Sequence, residues 1–178
     1  MPINPRNATR RTLRFTTLDD VLVDAETVTA GPHHTTGNWT AAQIVHHVAT
    51  LMRVANHGGG PRLPRPVRLV GRVLKLAGVH RRPLKPGIKM PGSVKKHFLG
   101  PPDLPLADAL ALLREQVATA NATPMPHPSP LFGRLEPDVW VEVHCRHAEL
   151  HFSFVHPGEP RPHPKPNLGV PPKEPRTK

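Results

Sequence analysis

An all-α fold is what this sequence predicts: a four-helix bundle with a long basic crossover between its second and third helices. Three observations predict it. Two stretches open on capping boxes and continue with apolar residues at three- and four-residue spacing. A third stretch, after Pro105, has the cleanest such stripe in the chain. The fourth, from Pro137 to Val155, is far longer than a usual strand and has no evident partner strand.

The first helix is expected over residues 17–30. Thr17 and Asp20 form a capping box with Asp in place of Glu, and Asp19 and Asp20 suit the positive end of the helix dipole. Leu18, Val21, Leu22, Ala25 and Val28 make its core stripe, and Gly31-Pro32 ends it. Residues 1–16 ahead of it are a basic lead-in, read as extended and laid on the surface. The second helix is expected over 40–56. Thr40 and Gln43 form its capping box, Trp39 staples its entry, and Gly58-Gly59-Gly60 stops it. Its inner stripe reads Ile44, His47, Val48, Leu51 and Ala55, while Gln43, His46, Thr50 and Arg53 fall outside. Periodicity thus turns His47 inward and His46 away.

Residues 58–100 form the crossover. A short helix from Pro66 to Leu76 would place Val67, Val70, Val73 and Leu74 on one side and Arg68, Arg72 and Lys75 on the other. The expectation is that the apolar side caps the bundle and the charges are solvated. RRPLKPGIKMPGS beyond it reads as loop. The third helix runs from Pro105 to Asn121 on Leu106, Ala109, Leu110, Leu113, Val117 and Ala120. In the fourth, over 137–155, Val139, Val141, Val143 and Cys145 alternate as in a strand, but the length decides for helix. Trp140, Val143, His147, Leu150, His151 and Phe154 then face inward, and Glu142, Arg146, Glu149 and Ser153 outward. The domain is therefore 1–155, with 156–178 a proline-rich tail that has almost nothing to bury.

The chain has 178 residues, suiting one domain, and 25 prolines depress its apolar fraction to 37%. No apolar run is long enough to span a membrane, and the first residues lack a signal-peptide core. Cys145 is the single cysteine and forms no internal disulfide, so the cytoplasm is the expected compartment. The formal charge is +11, yet residues 58–100 alone hold eleven Lys/Arg and no acid. The helical body is mildly acidic. That distribution argues against reading the whole protein as a nucleic-acid binder, and none is expected as a partner.

Among 13 histidines, His147 and His151 stand one helical turn apart, about 6 Å along the axis, and can grip one metal ion. The pair would leave an ion under-coordinated, and His47 is the best third ligand. In its apolar stripe His47 is either a core residue satisfied by one hydrogen bond or a ligand. His144 lies beside the inner face, one turn from His147. It is either a further ligand that closes the site or a group behind the ligands that shuttles a proton. The second role is favoured, because three histidines at 144, 147 and 151 cannot easily reach one ion, and His144 is the candidate catalytic residue. Gln43 and Arg146 are the other polar groups offered, and helical phase turns Cys145 away. No GxSxG, P-loop or dinucleotide loop is present.

Taken jointly, these residues resemble the DinB-like (DinB/YfiT) superfamily, more narrowly a bacterial branch labelled a domain of unknown function. The pattern is W-T-x-x-Q-x-x-x-H at Trp39, Thr40, Gln43 and His47; P-S-P-x-F-G from Pro128 to Gly133; then Trp140 and H-x-x-H-x-x-x-H at His144, His147 and His151. The likeness runs from Leu13 to Val155. It implies a four-helix bundle in which His47, His147 and His151 hold a divalent metal, with Zn²⁺, Ni²⁺ or Fe²⁺ suiting three imidazoles. Characterised relatives include transferases that use low-molecular-weight thiols and metal-dependent hydrolases. The resemblance therefore implies a small-molecule substrate; the sequence leaves the oligomeric state open, with a homodimer among the options. A different class of function stays open: a non-catalytic bundle whose metal is structural, or an anion-binding module using the basic crossover.

Overall fold

The computed structural model describes residues 3–87 and 92–159. Both capping boxes form. Thr17 accepts from the Asp20 N–H while the Asp20 carboxylate accepts from the Thr17 N–H, opening α1 (Leu18–Thr29). Thr40 and Gln43 exchange the same pair of bonds at the start of α2 (Ala41–His57). The crossover holds α3 (Arg65–Leu76), a single 3₁₀ turn at Val79–Arg81, and α4 (Gly92–Phe98). Two long helices follow, α5 (Leu106–Ala122) and α6 (Pro137–Phe152). No helix among the described residues is long and apolar enough to cross a membrane.

The chain is mostly helical, with α2 at its centre. It packs against α5 and α6, and α1 packs against the same two helices from the other side. Val21, Val48, Met52, Leu113, Trp140 and Ala148 are fully enclosed between them. The indole of Trp140 also ties down the proline-rich turn before α6, since its Nε1 donates to the His127 carbonyl. That turn is pinched by paired backbone bonds between Ser129 and Gly133, the latter at φ 74°.

Four features depart from the sequence reading. The fold is not wholly α: β1 (His33–Thr35) and β2 (Val155–Pro157) pair antiparallel, with His34 opposite His156. Accordingly α6 ends at Phe152 rather than 155, and ordered chain continues past 155. Three-residue strands carry no readable period, and Phe154 and Val155 extend the apolar spacing of α6, which hid the break. Arg11 seals this corner, bonding both Asp24 oxygens and the carbonyls of Val155 and Phe152. The proline-rich tail, from residue 160 on, lies outside the described residues.

Second, Arg146, Glu149 and Ser153 are buried, not outward. The lead-in segment crosses α6 there: Arg146 donates to Glu149 and to the Phe15 carbonyl, while the Phe15 N–H donates to Glu149. Third, Gln43 and Thr50 are buried, because α4 and the chain after it cover that face of α2. Gln43 Nε2 donates to the Gly100 carbonyl at 3.0 Å and pins this covering. Fourth, the apolar side of α3 does not cap the core. Gly71 is its buried residue; of the apolar side expected to cap the core, Val67, Val70 and Val73 are exposed and Leu74 is half-buried, and Leu69 and Leu76 are exposed as well.

Candidate metal centre

The Thr40 cap sets the phase of α2, and that phase carries His47 into the core. The α2–α6 contact brings it to the two histidines one turn apart on α6. His47 Nε2 lies 3.1 Å from His147 Nε2. Ring centroids are 4.8 Å apart for His47 and His147, 4.5 Å for His47 and His151, and 4.6 Å for His147 and His151. One ligand nitrogen from each lies within 4.8 Å of the other two. Among the described residues no fourth His, Cys, Asp or Glu joins this group. The three rings form a near-equilateral cluster.

Aromatic walls enclose it. Trp39 stacks on His151 at 5.3 Å with planes 8° apart, and sits 5.1 Å from His47. Phe98, at the end of α4, meets His47 edge-on at 6.0 Å. His47 is buried, whereas His147 and His151 keep some accessible surface. Burial pushes His47 down to about 4, with the Phe98 backbone partly offsetting it and His46 adding to it. Burial and the neighbouring imidazoles hold His147 and His151 well below the usual histidine value. All three are therefore neutral at neutral pH, the state in which imidazole binds a metal.

The three imidazoles suit a divalent ion by type. Two imidazoles on one ion at 2.0–2.1 Å stand about 3.3 Å apart in tetrahedral geometry; His47 and His147 stand 3.1 Å apart in hydrogen-bond contact, while the ligand atoms of the whole group spread up to 4.8 Å, so the rings must draw together to share an ion. The Nδ1 atoms of His47 and His147 are buried without a hydrogen-bond partner. Uncompensated polar atoms of this kind cost stability.

The other candidates fall elsewhere. His144 is fully buried and stacks on Trp140 at 5.0 Å and 10°, outside the three-histidine group. Among the described residues neither of its ring nitrogens has a partner, and burial alone pushes it down to about 3. His46 is half-buried, with Nδ1 3.4 Å from the Thr50 hydroxyl. Gln43 is committed to the contacts already described, and Arg146 points its Nη atoms at Glu149 and the Phe15 carbonyl, away from the histidines. Cys145 is buried, its thiol pushed up to about 11 by burial, with Sγ against the Thr17 carbonyl. Trp39 and Phe98 are the site residues that sequence reasoning missed. Trp39 reads in the sequence as a staple for α2 and as part of the W-T-x-x-Q-x-x-x-H pattern but not as a wall of the cluster, and Phe98 sits in a proline-punctuated segment without period.

The model of one protein family, described as a protein of unknown function (DUF1569), matches residues 7–158. No curated protein and no solved structure gives a significant match.

Proposed function

The chain belongs to the DUF1569 family, and from that premise we propose that it is a metal-dependent enzyme of DinB-like type, acting on a small molecule through water or a low-molecular-weight thiol. The observation that carries this is the group His47, His147 and His151, which gathers three neutral nitrogens and, among the described residues, no fourth ligand. A site whose purpose is structural gains most from four protein ligands, whereas three leave positions for a reactant. The packing of α1, α2, α5 and α6 supports a DinB-like four-helix bundle, with ligands on two facing helices.

In this reading His47 comes from one helix and His147 and His151 from another, so the α2–α6 contact fixes the site. A Zn²⁺, Ni²⁺ or Fe²⁺ ion held there supplies Lewis-acid activation of a bound water or thiol. Trp39 and Phe98 orient the imidazoles of His151 and His47 and exclude water from one side. His144, one turn before His147, is the group proposed to handle a proton. Among the described residues its nitrogens have no protein partner, so one can donate and the other accept. Enclosure makes it a weak base, so the role requires a neighbouring negative charge during turnover.

Metal analysis of untagged protein, then cobalt substitution, tests the proposal. One divalent ion per chain is expected, with a visible spectrum that changes on adding thiol. Absence of stoichiometric metal overturns the site. A cobalt spectrum unmoved by thiol, azide and pH, with metal loss in His144→Ala, gives a closed structural site and overturns the enzyme reading.

A further inference from the structure

Helix α3 turns its apolar side to solvent. Leu69, Val70, Val73 and Leu76 are 63%, 56%, 57% and 87% exposed. An ordinary surface helix buries that stripe. Here the docking seam is Gly71, where an added Cβ would come within 2.1 Å of the Leu131 carbonyl oxygen. The helix backbone is pressed onto the turn before α6 through its smallest residue. Lys75 reaches the Arg134 carbonyl beside that seam. At ~100° per residue, Leu69, Val73 and Leu76 lie roughly 140–160° round the helix from Gly71. The apolar face therefore points straight out.

One flank of the helix is basic. Lys75, Arg68, Arg72 and Arg65 follow one another round the axis between the seam and the apolar face. Arg65, Arg68 and Arg72 make no ion pair among the described residues. No acidic residue occurs anywhere in 58–100. Beneath this flank a cavity of about 410 Å³ opens between Gly58–Gly60, Arg62, Arg68 and Arg72, with room for an anionic headgroup.

We propose that α3 is a membrane-surface helix that docks the protein on an anionic lipid bilayer. Leu69, Val73 and Leu76 enter the boundary between headgroups and acyl chains, while Arg65, Arg68 and Arg72 meet lipid phosphates. Two other occupants fit less well. A second copy, paired two-fold on this helix, would bring two basic flanks together. The strip, about 18 Å long and ~10 Å wide, is also far below the ~800 Å² per partner of a standard interface. A nucleic acid would use the arginines but has no use for aliphatic side chains held out to solvent, since bases stack on aromatic rings.

Flotation of the full chain with neutral phosphatidylcholine vesicles and with vesicles containing phosphatidylglycerol tests this. Binding is expected to the anionic vesicles alone and to weaken with salt. Arg68→Gln or Arg72→Gln should each lower partition about fivefold. The double change Leu69→Gln/Val73→Gln should lower it on the order of tenfold, with an unchanged melting curve because both side chains are exposed. Absence of flotation, or equal binding to neutral vesicles, overturns the proposal. So does binding that the arginine changes abolish and the Leu69/Val73 change leaves intact, which marks a purely electrostatic partner such as nucleic acid. Self-association abolished by Leu69→Gln/Val73→Gln, without vesicle binding, assigns the face to a second copy instead.

Discussion

Replacing Glu149 by alanine breaks a closed polar ring on the side of α6 away from the histidines. Arg146 Nη1 donates to Glu149 Oε2 at 2.6 Å, and Phe15 N–H donates to Glu149 Oε1 at 2.7 Å. The Phe15 carbonyl accepts from Arg146 Nη2 and completes the ring. Side-chain exposure is 4% for Arg146 and 8% for Glu149, so water cannot substitute for a lost partner. Removing one member of a buried pair costs about 3–5 kcal/mol, because the remaining charge stays enclosed. The orphaned Phe15 N–H is part of the same loss rather than an addition to it. At about 2–4 °C per kcal/mol for a chain of this size, the melting temperature should fall by roughly 10 °C. The double change Arg146→Met/Glu149→Leu removes both charges and keeps apolar volume. It also relieves Arg146 Nε, which has no partner in the native ring. It still leaves the Phe15 N–H and carbonyl without these partners, so it should recover part of the loss rather than all of it. Urea unfolding followed by circular dichroism measures both. A cost below about 1 kcal/mol for Glu149→Ala, or a double variant no better than the single one, would refute the reasoning.

Two further predictions concern the histidines. His47→Ala should lower metal affinity by more than the ~10–100-fold typical of losing a residue behind a ligand, while His46→Ala leaves it nearly intact. Equal losses in calorimetric titration would mean that the two rings do not differ in facing the site. His144 stays neutral in the fold with a value of about 3 against 6.5 for the free side chain, so the unfolded chain binds the extra proton between those values and stability falls as pH drops below 6.5. At pH 5 that amounts to about 2 kcal/mol, and His144→Leu should shrink the acid-side loss of apo-protein stability by this much. An unchanged slope of stability against pH between the two proteins would show that His144 is already charged in the fold.

What was legible in the sequence was what local spacing controls. The caps at Thr17 and Thr40 and the stripes of α1, α2 and α5 place those helices to within a residue or so, because each is signalled within its own segment. The same holds for the grouping of the three histidines: they share the core-facing phase, so periodicity separates His47 from His46 and pairs His147 with His151. Periodicity fails where a covering segment has no period of its own. It reads Arg146 and Glu149 as solvated because it cannot see the lead-in crossing them, and Gln43 and Thr50 likewise because α4 returns over α2. In α3 the amphipathic pattern was visible but its direction was not. A rule that turns the largest apolar residues inward is reversed by one glycine pressed on the Leu131 carbonyl. These misses share a consequence for the site. The basic crossover that carries the exposed α3 also ends on Phe98 against His47, and Gln43, three residues into the α2 cap, holds that end at Gly100. The segment with nearly all the surplus charge is thus a wall of the histidine cluster as well as a connection.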